Sequence, residues 1–558
     1  MKPLYDAVAA YARSVAAPFH MPGHKLGKGF FPEGLFHDPS RFDVTELAAT
    51  DDLHCPRGPL KAAQELAAEA FGAGRTWFLV NGSTCGIHAM VAANCAPGQK
   101  LIVARDFHAS AFNAMCLARV KPVYVYPRPD AAHAGACATG GCAADACATS
   151  ACAADACATD ACTTDGCAAA AAAAWLTTEL PGHVAPEAIE RALDAHPDAA
   201  ALYITRPDYY GGACDLEAIA AAAHRRGVPV LVDEAHGAHF AFSGILPSSA
   251  LQAGADFCVQ SAHKTLPAFT QGAYAHASGA AVREMPERVE RFGHALRALQ
   301  TSSPSFLVMS SLDYAREYMQ GCGEQALGRL AARCVKLYAR AAAAGYGVPA
   351  DAAAAAAATD GLQALPCTAH PRRDITRLAI DVTPLGLRGP EVERMLGRGH
   401  AVVAEMSDDA HVVFITTAAD SEEDFGLLGT ALEHIAQGAA KPGGARKAMQ
   451  GGYPIAPEGS EPPQLDLMAL LHSGREWAPL SIASEAGMAS AGIVTPYPPG
   501  VPLLCPGERV TPDAAAQLLE LIRAGVNVRG VEIAREFGGD GAAAATASDI
   551  SLQVLPAR

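Results

Sequence analysis

The feature that most constrains this chain is a repeating order of short apolar, β-branched runs, most of which end on a cluster of polar residues. The runs are "TWFLV" (76–80), "KLIVA" (100–104), "PVYVY" (122–126), "ALYIT" (201–205), "VPVLV" (228–232) and "DFCVQ" (256–260). Helix-like stretches separate most of them, such as "LEAIAAAAHRRG", which closes on Gly227 in the manner of a C-cap. This alternation predicts an α/β architecture, a mostly parallel sheet with helices on both faces. In open sheets of that kind the carboxyl ends of the strands form the ligand crevice. The residues at those ends are Asn81-Gly82-Ser83-Thr84, Arg105-Asp106-Phe107-His108, Arg206-Pro207-Asp208-Tyr209-Tyr210-Gly211, Asp233-Glu234-Ala235-His236 and Ser261-Ala262-His263-Lys264. The order of the runs predicts that these polar groups converge.

The converging residue types define a chemistry. The turn Gly82-Ser83-Thr84-Cys85-Gly86, between a strand and a helix, offers free backbone N–H groups, hydroxyls and the positive end of a helix dipole, which suit a phosphate monoester. Ser261 adds a third hydroxyl. Asp233 ends a buried strand, where a carboxylate needs a cationic partner such as a protonated ring nitrogen. His108 can stack on an aromatic ring, and Ala235, with His236 beside it, is small enough to let a flat ring lie against the strand end. Lys264 supplies an amine that partial desolvation makes nucleophilic. Together these describe a site for pyridoxal 5'-phosphate (PLP), with Lys264 joined to its aldehyde.

Composition narrows the partners. The net charge of −16 (42 basic against 58 acidic residues) argues against nucleic-acid and anionic-membrane partners and favours a small cationic substrate. Asp6 and Arg13 interrupt the N-terminal apolar stretch, and no long apolar segment follows, so the expected compartment is the cytoplasm. Seven of the 17 cysteines recur at a five-residue step from Cys137 to Cys167. That step forms no stripe on a helix or strand, so Asp130 to Ala174 reads as a low-complexity insertion. "AAAAGYGVPADAAAAAAATDG" (341–361) and "FGGDGAAAATASD" (537–549) read as smaller expansions, and the scattered cysteines as reduced core residues.

The motifs "PFHMPGHK", "DVTELAATDDLHCPRGPL", "NGSTCGIHAM", "RDFHAS", "VDEAHGAHF", "QSAHKTLPAFTQGA" and "TPYPPGVPLLCPGERVT" also resemble the Orn/Lys/Arg decarboxylases of PLP fold type I. With its first signature at Pro18, the chain is similar to the shorter, biosynthetic-type arginine/lysine decarboxylases without an N-terminal wing domain. The resemblance implies an aspartate aminotransferase-like large domain, a small α/β domain and a C-terminal α+β domain. The boundaries expected are 1–50 for an N-terminal arm, 51–310 for the PLP-binding part, 311–440 and 441–558. It further implies that Lys264 carries the cofactor, that Asp233 pairs with the pyridinium nitrogen, that His108 stacks on the ring, and that Ser83, Thr84 and Ser261 hold phosphate. His263 would lie near the phosphate or donate a proton to the substrate carbon. The reaction implied is decarboxylation of arginine, lysine or ornithine, in a homodimer or a multiple of dimers. Glu508, after a Pro-Gly turn, is the acid expected at the cationic end of the substrate, with a helix N-terminal carboxylate as its other reading. His20, His24, Glu46 and Asp51 would complete a neighbouring subunit's pocket.

Three rival readings follow from the same residues. "VDEAH" mimics a helicase box, but "GHKLGKG" lacks the spacing and the Ser or Thr of a phosphate-binding loop. Transamination or aldol cleavage would use the same cofactor and fold. Metal binding by His20/His24 or His236/His239 is not expected, because Pro22-Gly23 breaks the first pair and the second is too small a set.

Overall fold

A computed structural model describes residues 11–28, 39–127, 177–178, 180, 183–357, 373–439, 466, 474–497, 500–523, 525–533 and 545–555. The cysteine repeat lies outside these residues.

The chain enters with a short strand β1 (Ala17–Phe19), then helix α1 (Pro59–Phe71) and strand β2 (Arg75–Leu79). There follow α2 (Gly82–Asn94), β3 (Lys100–Ala104), α3 (Ala109–Ala118), β4 (Lys121–Val125), α4 (Pro186–Ala195), β5 (Ala199–Thr205), α5 (Leu216–His224), β6 (Val230–Asp233) and β7 (Phe257–Gln260). A four-residue helix α6 (Ala262–Thr265) and a strand β8 (Ala273–Ala277) complete the central sheet. Its order is β2-β8-β7-β6-β5-β3-β4, and only β8 runs antiparallel to its neighbours.

Side-chain alternation explains why both faces are covered. Leu101, Val103, Tyr203 and Leu231 pack with α2, α3 and α7 (Pro286–Leu299) on one face. Ile102, Leu202, Ile204, Val230 and Val232 pack with α4 and α5 on the other. Val230, Leu231 and Val232 are fully buried, each contributing roughly 1.5–3 kcal/mol of apolar transfer free energy. Strands buried on both faces are continuous apolar runs, which is why these were readable from sequence. The sequence did not single out β8 as a strand: its composition, Ala-Tyr-Ala-His-Ala, has weak β propensity. Tertiary bonds hold it instead, with Tyr274 Oη donating to Leu312 O (2.6 Å) and His276 placed between Thr76 and Gln260.

Beyond α7, a 38-residue helix α8 (Phe306–Ala343) starts where Ser305 caps it. Next come α9 (Ala350–Ala357), β9 (Arg377–Asp381), α10 (Gly389–His400), β10 (Val402–Ala404), β11 (Met406–Ser407), β12 (His411–Ile415) and α11 (Glu422–Gly438). Strands β9, β12 and β11 form a small antiparallel sheet, while β1 pairs in parallel with β10 and ties the N-terminal segment to this part. The alanine-rich stretch from 341 is therefore not an expansion looping out of the fold. Ala341, Tyr346, Val348, Ala352 and Ala355 are buried in the core, because small side chains let α9 approach α8 closely. Residues 358–361 and 537–544 lie outside the described set, and Ala545 is fully buried.

The C-terminal part contains β13 (Glu476–Pro479), α12 (Pro512–Arg523), β14 (Val531–Ile533) and β15 (Ile550–Val554), with β15 central to an antiparallel sheet over its own core of Leu480, Leu504, Leu518 and Leu552. Seven of the nine described cysteines are buried, and all nine are free thiols. Among the described residues no helix is long and apolar enough to cross a membrane.

Candidate active site

Strand β5 departs from the β3–β4 direction across the sheet, so the carboxyl ends of β3, β5, β6 and β7 surround a switch point of the topology, where open α/β sheets bind ligands. Asp233 is the last residue of β6 and only 2% exposed. Its carboxylate accepts from Tyr203 Oη (3.2 Å) and the Ala235 N–H (3.1 Å). Burial raises its pKa, with Lys264 and these hydrogen bonds working against that. A buried carboxylate whose ionised form is under-compensated is suited to a cation delivered by a ligand.

Lys264 lies on α6, one turn after β7. Its Nζ is 2.9 Å from His236 Nε2. Burial pulls the amine down to about 8, with Asp233 opposing and Arg377 adding to the shift. The other ring nitrogen of His236 accepts from Arg377 Nη2 (3.0 Å), and its ring meets Tyr209 edge-on at 4.7 Å. Arg377 is buried on β9, and its Nη1 has no hydrogen-bond partner among the described residues. Tyr209 Oη donates to Glu405 Oε1 (2.7 Å), and the Met21 N–H donates to Glu405 Oε2 (3.0 Å). Sequence reading missed Arg377 and Glu405 and assigned Tyr209 no role. The available signal was a charged residue inside or beside an otherwise apolar strand, which demands a distant partner.

The hydroxyls expected for a phosphate are adjacent: Ser261 Oγ donates to Ser83 Oγ at 2.7 Å, and Thr84 is exposed in the first turn of α2. His108 caps α3, its Nδ1 accepting from the Ser110 N–H (3.2 Å). Gly500, from the C-terminal part, lies against that ring, since a Cβ there would be 3.1 Å from His108 Cδ2. Ala235 and His236 are buried beside Asp233. The donor set thus fits PLP: hydroxyls at Ser83, Thr84 and Ser261 for a phosphate, a buried acid at Asp233 for a ring cation, and the Lys264 amine for an aldehyde.

Several expectations need correction. Glu508 is not an acid available to a substrate cation. Both its oxygens are engaged by the buried Arg105 (3.2 and 2.9 Å), and Oε2 also accepts the Cys505 N–H (2.7 Å). Nor does it cap a helix, as α12 starts at Pro512. Asp51 is an N-terminal anchor for α1, accepting from the backbone N–H groups of Asp52, Arg57, Gly58, Leu60 and Lys61. Desolvation opposes ionisation there, but those donors hold the carboxyl at about 2. Glu46 accepts the Leu53 N–H at 3.3 Å. His263 bonds the Gly272 carbonyl through Nδ1 (3.1 Å), and burial pulls it to about 4, so at neutral pH it is uncharged and its proton is engaged. His20 and His24 belong to a segment that touches this chain's own Lys264 loop, through the Gly23 N–H donating to His263 O (2.7 Å). Glu234 is turned away from the crevice and bonded to Gln260 (2.7 Å) and the Ala250 N–H (2.8 Å). Asp208 folds its own turn, accepting from Tyr210 and Gly212 N–H groups, and His239 pairs with Asp374.

Comparison with known proteins matches the sequence to the family described as Orn/Lys/Arg decarboxylase, major domain, over residues 2–160 and 170–344, and to its C-terminal domain over 463–528. An uncharacterized protein of Bacillus subtilis, YaaO, is 34% identical over 532 residues, 95% of this chain and 96% of that protein. An arginine decarboxylase of Bacillus subtilis is 32% identical over 551 residues, 95% of each. Lysine decarboxylase A from Pseudomonas aeruginosa has the same fold at a TM-score of 0.69 and 18% identity, over 99% of this chain and 80% of that structure's chain.

Proposed function

The chain belongs to the Orn/Lys/Arg decarboxylase family, and from that premise we propose that it converts arginine to agmatine and CO2 with PLP held at Lys264. The observation that carries this reading is Asp233, a buried acid lacking a full counterion, at the carboxyl end of β6 and within electrostatic reach of the Lys264 amine. Arginine is preferred to lysine and ornithine on the similarity to full-length arginine decarboxylases.

Bound PLP supplies an aldehyde that takes up the substrate amine and a ring that accepts the electron pair left when CO2 departs. The protein's part is to orient, to hold charge and to move a proton. Asp233 would hold a positive charge at the ring nitrogen, Ser83, Thr84 and Ser261 would hold the phosphate, and His108 would lie against the ring. Arg377, from the small sheet, bonds His236 and keeps a buried Nη1 without a partner among the described residues, a donor that would suit an anionic group of the ligand. Glu405, positioned by Tyr209 and Met21, replaces Glu508 as the acid for the distal guanidinium. Burial brings the Lys264 amine down to about 8, so once released it can take up a proton and pass it, as the ammonium, to the substrate α-carbon, while the His263 proton is bound to Gly272. The Gly500 segment, bonded to the Ala109 N–H at 3.2 Å, limits water at the His108 side. A dimer and a cytoplasmic location belong to the same proposal, on the family resemblance.

The test is CO2 release from arginine, lysine and ornithine with and without PLP, paired with borohydride trapping and peptide mapping. Label on the Lys264 peptide and arginine-dependent CO2 are expected. Label elsewhere, or a keto acid product in place of CO2, overturns the proposal.

A further inference from the structure

The bonds around His236 determine which of three neighbouring groups carries a proton. Arg377 Nη2 lies 3.0 Å from His236 Nδ1. A guanidinium has donors only, so Nδ1 must be the acceptor. A neutral imidazole with an accepting Nδ1 carries its one proton on Nε2, the atom 2.9 Å from Lys264 Nζ. That N–H can be satisfied only by a lone pair, and Nζ has one only as the free amine. An ammonium at Lys264 would require Nε2 as acceptor, would move the imidazole proton to Nδ1, and would set it against the Arg377 N–H. An imidazolium would set its Nδ1–H against the Arg377 N–H. Burial, with the Arg377 charge adding to it, holds His236 well below its usual value, which removes that state.

Resting on the reading that Lys264 holds the cofactor, we propose that Arg377 is a positioning residue that acts through the His236 tautomer to select the unprotonated amine of Lys264. An amine condenses with an aldehyde through its nitrogen lone pair and releases water, whereas an ammonium has no lone pair to give. The arrangement therefore keeps Lys264 ready for the aldehyde in protein that has not yet taken up PLP. The other groups facing it are accounted for. Asp233 and Glu405 favour the ammonium, while the Arg377 charge disfavours it. His108 and His263 act on His236 from the same crevice, and Tyr209 closes its ring edge. The tautomer is thus set by a hydrogen bond that opposes two carboxylates, and its removal is separable from the Arg377 charge.

The experiment uses full-length protein freed of PLP and measures trace acetylation of Lys264 from pH 6 to 10 by peptide mass spectrometry, with the exposed Lys61 as internal reference. His236→Phe keeps a ring against Tyr209 and leaves the Arg377 charge in place. Its labelling midpoint is expected to rise by about one pH unit, so that labelling at neutral pH falls about tenfold. His236→Gln, which retains one donor and one acceptor, is expected to restore labelling to within about threefold of the wild type. A midpoint that is unchanged or lowered in His236→Phe overturns the proposal. A measurement independent of variant folding is the 15N shift pattern of His236 in the wild-type protein. The Nε2–H tautomer is expected, and the Nδ1–H tautomer overturns the relay. Borohydride trapping on the wild type keeps the two readings apart: no PLP on Lys264 with a shifted midpoint refutes the cofactor assignment, and trapping with an unshifted midpoint refutes the relay.

Discussion

Replacing Glu508 by Gln is expected to destabilise the joint between the C-terminal part and β3, and to do so far more than it weakens substrate binding. Arg105 is fully enclosed and Glu508 is 12% exposed at the side chain. The guanidinium gives Nε and Nη2 to the two carboxylate oxygens and Nη1 to Pro502 O at 2.8 Å, with its Cζ 4.9 Å from the centre of the Phe107 ring and 5.4 Å from that of Tyr124. Leaving a buried charge without its counterion costs about 3–5 kcal/mol. Glutamine keeps one accepting oxygen, so the lower end, about 3 kcal/mol or on the order of a hundredfold in the local opening equilibrium, is expected. Amide hydrogen exchange across 490–510, read against β6 as an internal reference, measures this directly. The double variant Arg105→Met, Glu508→Leu is expected to lose less than Glu508→Gln alone, because it removes both charges together. Exchange within about 0.5 kcal/mol of the wild type, accompanied by a raised KM for arginine, would show that the carboxylate serves the substrate and that the reasoning from Arg105 is wrong.

Asp233→Asn is expected to lower kcat by roughly 10²–10³-fold while PLP is still trapped on Lys264, since the amide cannot hold the ring charge. Steady-state rates and borohydride labelling measure the two halves. Glu405→Gln is expected to raise KM for arginine more than it lowers kcat, and equal loss in both would argue that Glu405 acts in the chemical step. Asp51→Ala is expected to destabilise α1 by about 1 kcal/mol. Its folded-state value of about 2 lies below the unfolded carboxyl value of about 3.9. The anchor is therefore fully present above about pH 4 and fades as pH falls toward 2. Acid titration of wild type and variant should converge in that window, and an unchanged gap at pH 2 would contradict the assignment.

The central sheet was legible because β3, β5, β6 and β7 are buried on both faces and so appear as uninterrupted apolar runs. The polar residues that follow them inherit their position from the sheet, which is why Lys264, Asp233, His108, Ser83 and Ser261 could be named together. What stayed hidden depends on residues far apart in sequence. Arg105 and Glu508 are 403 positions apart, and no local pattern at "PGERVT" reveals that the acid is already paired. The meaning of Arg377 and Glu405 comes from the approach of the small sheet to Tyr209 and His236. Asp51 looked like a pocket acid because backbone donors leave no mark on the side-chain sequence. The alanine run after 341 reads as low complexity, yet small side chains are what the α8–α9 contact requires.

The segment around Gly23 acts as a shim. Its N–H bonds His263 O, its carbonyl accepts Thr417 Oγ1 at 2.8 Å, and a methyl at this position would sit 2.6 Å from Leu266 O. The thickness of one peptide unit therefore sets the gap between the lysine-bearing turn and the edge of the smaller sheet. Any side chain at position 23 would wedge that gap open, carrying Arg377 and Glu405 away from the amine they surround, without touching a reacting atom.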